Sequence, residues 1–253
     1  MFGFKKWKRQ RVSQKAFPEQ WLKIIEQNVP LYKKFPAADQ KELQRHILVF
    51  MSEKRFEGCG GLEITDEIRI TIAAQACILL LHRKTDYYPG LPSILVYPHA
   101  YVAPMTEHLP DGVVAEGFAV HAGESWHRGS VVLSWEDVKD GAADFHDGYN
   151  VVLHEFAHQL DDAGASVENA SVFQDSSRFT AWARVFQKDY EKLRQDVSQD
   201  RDTFLDDYGA TDPMEFFAVA TEYFFELPRE LRQHHPDLYR ELKFFYQQDP
   251  AEL

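Results

Sequence analysis

Cysteine is scarce in this sequence, long apolar runs are missing and positive charge is in the minority, and each shortage removes a class of function. Only Cys59 and Cys77 occur among 253 residues. That is too few for a disulfide framework in a chain of this size, and neither has a second cysteine at metal-ligand spacing. A reducing cytoplasm is the expected compartment. No segment approaches the ~20 apolar residues of a membrane-crossing helix, and MFGFKKWKRQR at the N-terminus has no apolar stretch behind its basic residues. Lys and Arg number 28 against 40 Asp and Glu, a formal charge of -12 that would repel a phosphate backbone. A nucleic-acid partner is therefore disfavoured. Internal repeats and Gly/Ser linkers longer than a few residues are missing as well, so one compact unit is expected.

What is present is apolar and aromatic. With 44% hydrophobic and 14% aromatic residues, the chain can bury a full core as a single domain over 16–253, behind a basic tail at 1–15. In that tail Lys5, Lys6, Lys8, Arg9 and Arg11 interleave with Phe2, Phe4 and Trp7. A frayed, solvated segment is the expectation. An anionic membrane surface or the acidic body of the protein itself are the alternative resting places.

Residues 18–56 read as helical, with Trp21, Leu22, Ile24 and Ile25, then Leu43, Ile47, Leu48 and Phe50 at helical spacing, interrupted by Pro30 and Pro36. CGG at 59–61 breaks the pattern. Asp66 then reads as the cap of an apolar helix through Ile68, Ile72, Ala76, Leu79 and Leu80 that stops before Pro89. SILVYP at 93–98 and SVVLSW at 130–135 are β-branched runs bounded by Pro and Gly, and a hairpin is expected between them around 115–121. The helical period returns after Gly148 in YNVVLHEFAHQLDDAG, where Gly164 is a natural stop, and again over 176–195, 213–226 and 236–247. Strands flanked by helices on both sides imply an α+β fold, with the histidine helix packed on a mixed sheet.

VVLHEFAHQLDD at 151–162 carries the chemistry. On a helix His154 and His158 lie about 40° apart around the axis and one turn apart along it, so both imidazoles can bind one ion. Glu155 projects beside the pair, where a carboxylate can take a proton from a metal-bound water. Chance supplies about 0.04 such H-E-x-x-H windows in a chain of this composition, so the match informs without deciding. Val151, Val152, Leu153, Phe156, Ala157 and Leu160 surround the histidines with apolar side chains, and buried imidazoles need partners. A zinc ion needs at least one more protein ligand. In TDPMEFFAVATEYFFELP, Glu215 and Glu222 stand two turns apart on one helical face, and either could reach the ion. Glu215 also fits a capping-box position behind Asp212 and Pro213. Glu222 equally fits an acceptor for an imidazole N–H, a role open to Asp161 and Asp162 too.

Taken together, ILVYP, GESW, VVLSW, HEFAHQLD and DPMEFFAVATEYFF resemble the Mlc titration factor A family of bacterial zinc metallopeptidases, whose core looks like the metalloprotease domain of anthrax lethal factor. The resemblance runs from about residue 17 to FFYQQDP at 244–250. It implies a zincin-like fold, one Zn²⁺ per chain, Glu215 as third zinc ligand beside His154 and His158, and Tyr208 as a catalytic tyrosine with Glu155 as general base. It also implies aminopeptidase-like cleavage of a peptide substrate and binding of the glucose-system repressor Mlc. The second role supplies the competing function, a non-catalytic protein that sequesters a transcriptional repressor. A peptide could pair along SVVLSW by strand addition. The acidic stretch EDVKDGAADFHDG, with Glu136, Asp137, Asp140, Asp144 and Asp147, reads either as an attractor for a free α-amine or as a solvated loop.

Overall fold

The computed structural model describes residues 2–108, 114–121, 123–126, 129–162 and 176–253. The N-terminal part is helical: α1 (Phe2–Ser13), α2 (Glu19–Asn28) and α3 (Ala37–Glu53), with a 3-10 turn over Pro30–Lys34. Both prolines fall at the expected breaks. Pro30 opens the 3-10 turn and Pro36 precedes the first residue of α3, where a missing N–H costs nothing.

The segment expected as a solvated tail is α1. Lys5 and Arg9, one turn apart, point at the body: Lys5 Nζ meets Asp86 Oδ1 at 2.9 Å, and Arg9 forks onto Glu53 with two bonds of 2.8 Å and also pairs with Asp86. The acidic body of the protein, not solvent, receives this face.

Two boundaries differ from the sequence reading. Residues 55 and 56, expected at the end of a helix, open β1 (Arg55–Gly58), because α3 ends at Glu53 and the chain turns into a parallel pairing with β2 (Ser93–Tyr97). The next helix, α4 (Asp66–Ile78), is capped by Thr65 rather than Asp66: Thr65 is extended and its hydroxyl accepts from the Ile68 N–H at 3.3 Å. Asp66 is instead the first helical residue, where its charge still suits the helix dipole. As expected, α4 stops before Pro89: it ends at Ile78, ahead of His82 at φ 61°. Its residues from Ile70 to Ile78 are buried throughout, so it is the central rod of the core.

A four-stranded mixed sheet runs in the order β1, β2, β6 (Ser130–Ser134), β5 (Gly123–Trp126), with β2 parallel to both neighbours and β5 antiparallel to β6. The expected hairpin is a separate antiparallel ribbon of β3 (Tyr101–His108) and β4 (Val114–His121). β6 is interior to the sheet, its two edges taken by β2 and β5, so a peptide has no place to pair along 130–134. The end of the order is β5. After Ser134, which caps it, α5 (Trp135–Ala143) converts much of the expected acidic loop into helix.

α6 (Val151–Asp162) packs on β5 and β6 on one side and on α8 (Pro213–Glu226) on the other. Gly164, the expected stop, lies outside the described residues. α7 (Ser176–Ser198), α9 (Pro228–His234) and α10 (Pro236–Tyr246) complete the chain. An aromatic layer of Trp182, Phe186, Phe217, Phe245 and Tyr246 ties α7, α8 and α10 together. The turn into α6 requires Gly148: its φ is 83°, and a Cβ there would stand 3.1 Å from the Tyr223 ring. Helix α6 is thus held from both faces, which fixes the histidines before any ligand arrives.

Candidate metal centre

α6 begins at a buried asparagine. Asn150 Oδ1 accepts from the backbone N–H groups of Val152 at 3.1 Å and Leu153 at 3.0 Å, the bonds an N-cap makes. Its Nδ2 lies within donor reach of Gln75 Oε1 at 2.9 Å, the Gly141 carbonyl at 3.0 Å and Glu226 Oε1 at 3.1 Å. Its own backbone N–H donates to Glu222 Oε2 at 2.5 Å. One side chain therefore joins α4, α5, α6 and α8. Asn150→Ala should destabilise the protein by about 2–4 kcal/mol, since a lost cap costs about 1 and buried partners left unpaired cost about 1–3 more. Denaturant unfolding measures this, and a change within error of zero would mean that those partners find other bonds.

Three donor atoms meet where α6 faces α8. Glu215 Oε2 lies 2.9 Å from His154 Nε2 and 3.3 Å from His158 Nε2, and the two Nε2 atoms are 3.2 Å apart. Around a tetrahedral ion with bonds of about 2.0–2.1 Å, ligand atoms stand roughly 3.3 Å from one another. Three donor atoms at such spacing could share one cation, and the set fits a small divalent ion. On its other side His154 gives Nδ1 to Glu222 Oε1 at 2.7 Å. That hydrogen bond holds a ring proton on Nδ1 and aims Nε2 at Glu215 and His158, where a cation could take the place of a second proton.

The electrostatics follow the same geometry. Burial works against charging His154, but its bonds to Glu215 and Glu222 prevail and hold its pKa up at about 10. Burial also opposes ionising Glu215, yet the two imidazoles hold its carboxyl down to about 2. Glu222 is pushed up by burial, against the pull of His154 and the Asn150 N–H. Glu155 is 5% exposed, and burial raises its carboxyl to about 7, with His154 and His158 pulling the other way. Its Oε2 has no hydrogen-bond partner among the described residues. A buried carboxylate oxygen left free is costly unless something comes to it.

Capping on α8 is done by Asp212, whose Oδ1 accepts from Met214 N–H at 2.7 Å and Glu215 N–H at 3.0 Å. Glu215 sits at the third helical position, but its carboxylate faces the histidines. Glu215, Glu222 and Glu226 fall at i, i+7 and i+11, within about 40° on one face of α8. All three reach α6 or its cap. Glu226 and Asn150 escaped the sequence reading; an asparagine directly before an apolar helical run was the available signal for Asn150. Tyr208 lies in a 3-10 turn (Asp207–Ala210) held by Asp206, and its ring centroid is 5.9 Å from that of His154. Burial, then Glu215 and Glu155, push its hydroxyl up to about 12, so it remains a donor near neutrality. From the acidic stretch, Glu136 pairs with His99 at 2.8 Å.

Comparison with known proteins supplies the family context. The sequence pattern of the family described as glucose-regulated metallo-peptidase M90 matches residues 4–247. A Synechocystis protein, "Uncharacterized protein slr2042", is 38% identical over 96% of this chain and 89% of its own. Mlc titration factor A of Serratia proteamaculans is 32% identical over 84% of this chain and 82% of its own, and that of Escherichia coli is 28% identical over 97% and 92%.

Proposed function

The chain belongs to the glucose-regulated metallopeptidase family, and on that premise we propose that it is a zinc-dependent, aminopeptidase-like enzyme with a zincin-like catalytic domain over 16–253. The observation that carries the reading is the buried Oε2 of Glu155, without a hydrogen-bond partner among the described residues, next to three converging donor atoms. His154, His158 and Glu215 would hold the ion. When bound, zinc supplies a Lewis acid that polarises a carbonyl and lowers the pKa of water from about 15.7 toward 7.

The chain's own residues do the rest. Glu155 accepts the proton of the attacking water and passes it to the leaving amine. Tyr208 donates its O–H to the oxyanion that forms on the scissile carbonyl. Glu222 keeps the His154 ring oriented with its proton on Nδ1, and Asn150 anchors Glu222. β5, which ends the sheet among the described residues and packs against α6, is where an extended peptide would add by backbone pairing. Among the described residues no helix is long and apolar enough to cross a membrane, and a cytoplasmic location remains our reading from the cysteine content.

The test is metal analysis with hydrolysis of peptides bearing free or acetylated N-termini. About one zinc per chain and cleavage restricted to free N-termini are expected; a metal-free protein inert toward both would overturn the reading. Tyr208→Phe should keep its zinc and lose about 10² to 10³ in kcat, the usual cost of one oxyanion donor. Unchanged kcat would remove the tyrosine from the chemistry. The names of the relatives support a second reading, a protein that sequesters a Mlc-like repressor. Retained repressor binding by a hydrolytically dead Glu155→Gln protein would show that the two roles are separable.

A further inference from the structure

α1 has two unlike faces. Lys5 and Arg9 are spent on Glu53 and Asp86. Turned away from them, Phe4, Trp7, Lys8 and Arg11 follow the spacing i, i+3, i+4, i+7 and share an arc of about 100°. Phe4 is 71% and Trp7 51% exposed, with their rings 6.0 Å apart and the Arg11 guanidinium 4.9 Å from the Trp7 ring. Lys6 and Lys8 are exposed and have no ionic partner among the described residues. This happens on a chain with a formal charge of -12, where acidic neighbours are plentiful.

We propose that the outward face of α1 is a docking surface for an anionic lipid bilayer, on which the helix lies flat while its inner face holds the protein body. Two adjacent large aromatics ringed by cations match the bilayer interface, where rings enter the headgroup boundary and Lys and Arg meet lipid phosphates. Charge complementarity selects the lipid: α1 holds five basic residues and no acidic one, and three of the five are unspent. A specific protein partner generally covers about 800 Å² on each side, more than one short helical stripe supplies. A bilayer needs no such area. The inference is independent of the peptidase reading, because none of these side chains touches the candidate metal centre.

Flotation of the full-length protein with vesicles tests it, using phosphatidylcholine alone or mixed with phosphatidylserine. The wild type should float with the mixed vesicles, stay behind with phosphatidylcholine and be released by high salt. The double variant Lys8→Glu/Arg11→Glu should lose about tenfold or more in partitioning, as each cation near an anionic surface contributes. Phe4→Ala/Trp7→Ala should lose a comparable factor, and bromine-labelled lipids should quench emission in the wild type more than in Trp7→Phe. Thermal unfolding and metal content should match wild type in all of them, since Lys5 and Arg9 still fix the helix. A wild type that stays unbound to anionic vesicles at low salt overturns the proposal. So does binding that survives loss of both aromatics, or retention by a soluble acidic polypeptide without vesicle binding, which would assign the face to an acidic protein instead.

Discussion

Glu155→Gln should keep wild-type zinc content and lose about 10² to 10⁴ of the hydrolytic rate, the range a positioned general base contributes. The residue sits on α6 between the two imidazoles in sequence, yet its carboxylate is absent from the converging donor set, so an amide there leaves all three donors in place. The amide has the same shape and cannot take a proton. Fold stability should hold, because the substitution removes a buried ionisable group whose second oxygen has no partner among the described residues. A pH profile adds an independent reading. Burial raises the Glu155 carboxyl to about 7, with His154 and His158 as the chief opposing influence, and a bound cation pulls in the same direction as those imidazoles. Only the ionised form accepts a proton, so kcat/KM should fall as pH drops through that value or below it. Residual activity of Glu155→Gln should lack this acid limb. Hydrolysis by the variant at the wild-type rate would place the base elsewhere.

Much of the scaffold under this site is local in origin and could be read from the sequence. Asp212-Pro213 announces a helix start, and α8 runs over Pro213–Glu226, the span expected from its periodicity. The strands at 93–97 and 130–134 were legible because β-branched runs between turn residues have few other uses. Short or edge elements were not. β1 has four residues and no alternating burial, and it exists because β2 offers a parallel partner. The place of β6 inside the sheet is likewise a pairing fact, and it leaves the strand expected to receive a peptide with both its edges taken.

The site's supporting contacts were hidden for a related reason. Asn150 reaches Gln75 across 75 residues and Glu226 across 76, while His154 meets Glu222 across 68. Helical spacing within α6 places His154 and His158 together, and spacing within α8 puts Glu215 and Glu222 on one face. Neither tells which glutamate meets which ring nitrogen. That depends on how far α8 is shifted along α6, a relation between two helices that the spacing within either one does not contain.

Glu215→Gln and Glu222→Gln should therefore fail in different ways, and the contrast tests the third ligand directly. Glu215 offers Oε2 to both Nε2 atoms. Replacing it by a neutral amide leaves two imidazoles for the ion, so that protein should be isolated with little zinc. Glu222 instead accepts at both oxygens, from the His154 Nδ1–H at 2.7 Å and the Asn150 N–H at 2.5 Å. A glutamine can satisfy only one of those donors. If its oxygen stays on Asn150, its NH₂ faces Nδ1, and the His154 proton is driven onto Nε2, the atom that coordinates. If the amide turns over, its NH₂ opposes the Asn150 N–H at the start of α6. Either way zinc affinity should fall by about 10- to 100-fold, the usual cost of losing a ligand's orienting partner, with binding still at one ion per chain. Titration against a chelator measures the affinities, and ¹⁵N shifts of the His154 ring in the zinc-loaded proteins show separately whether Nδ1 keeps its proton. Should Glu215→Gln hold zinc normally while Glu222→Gln loses it, Glu222 is the ligand and Glu215 returns to a role at the start of α8.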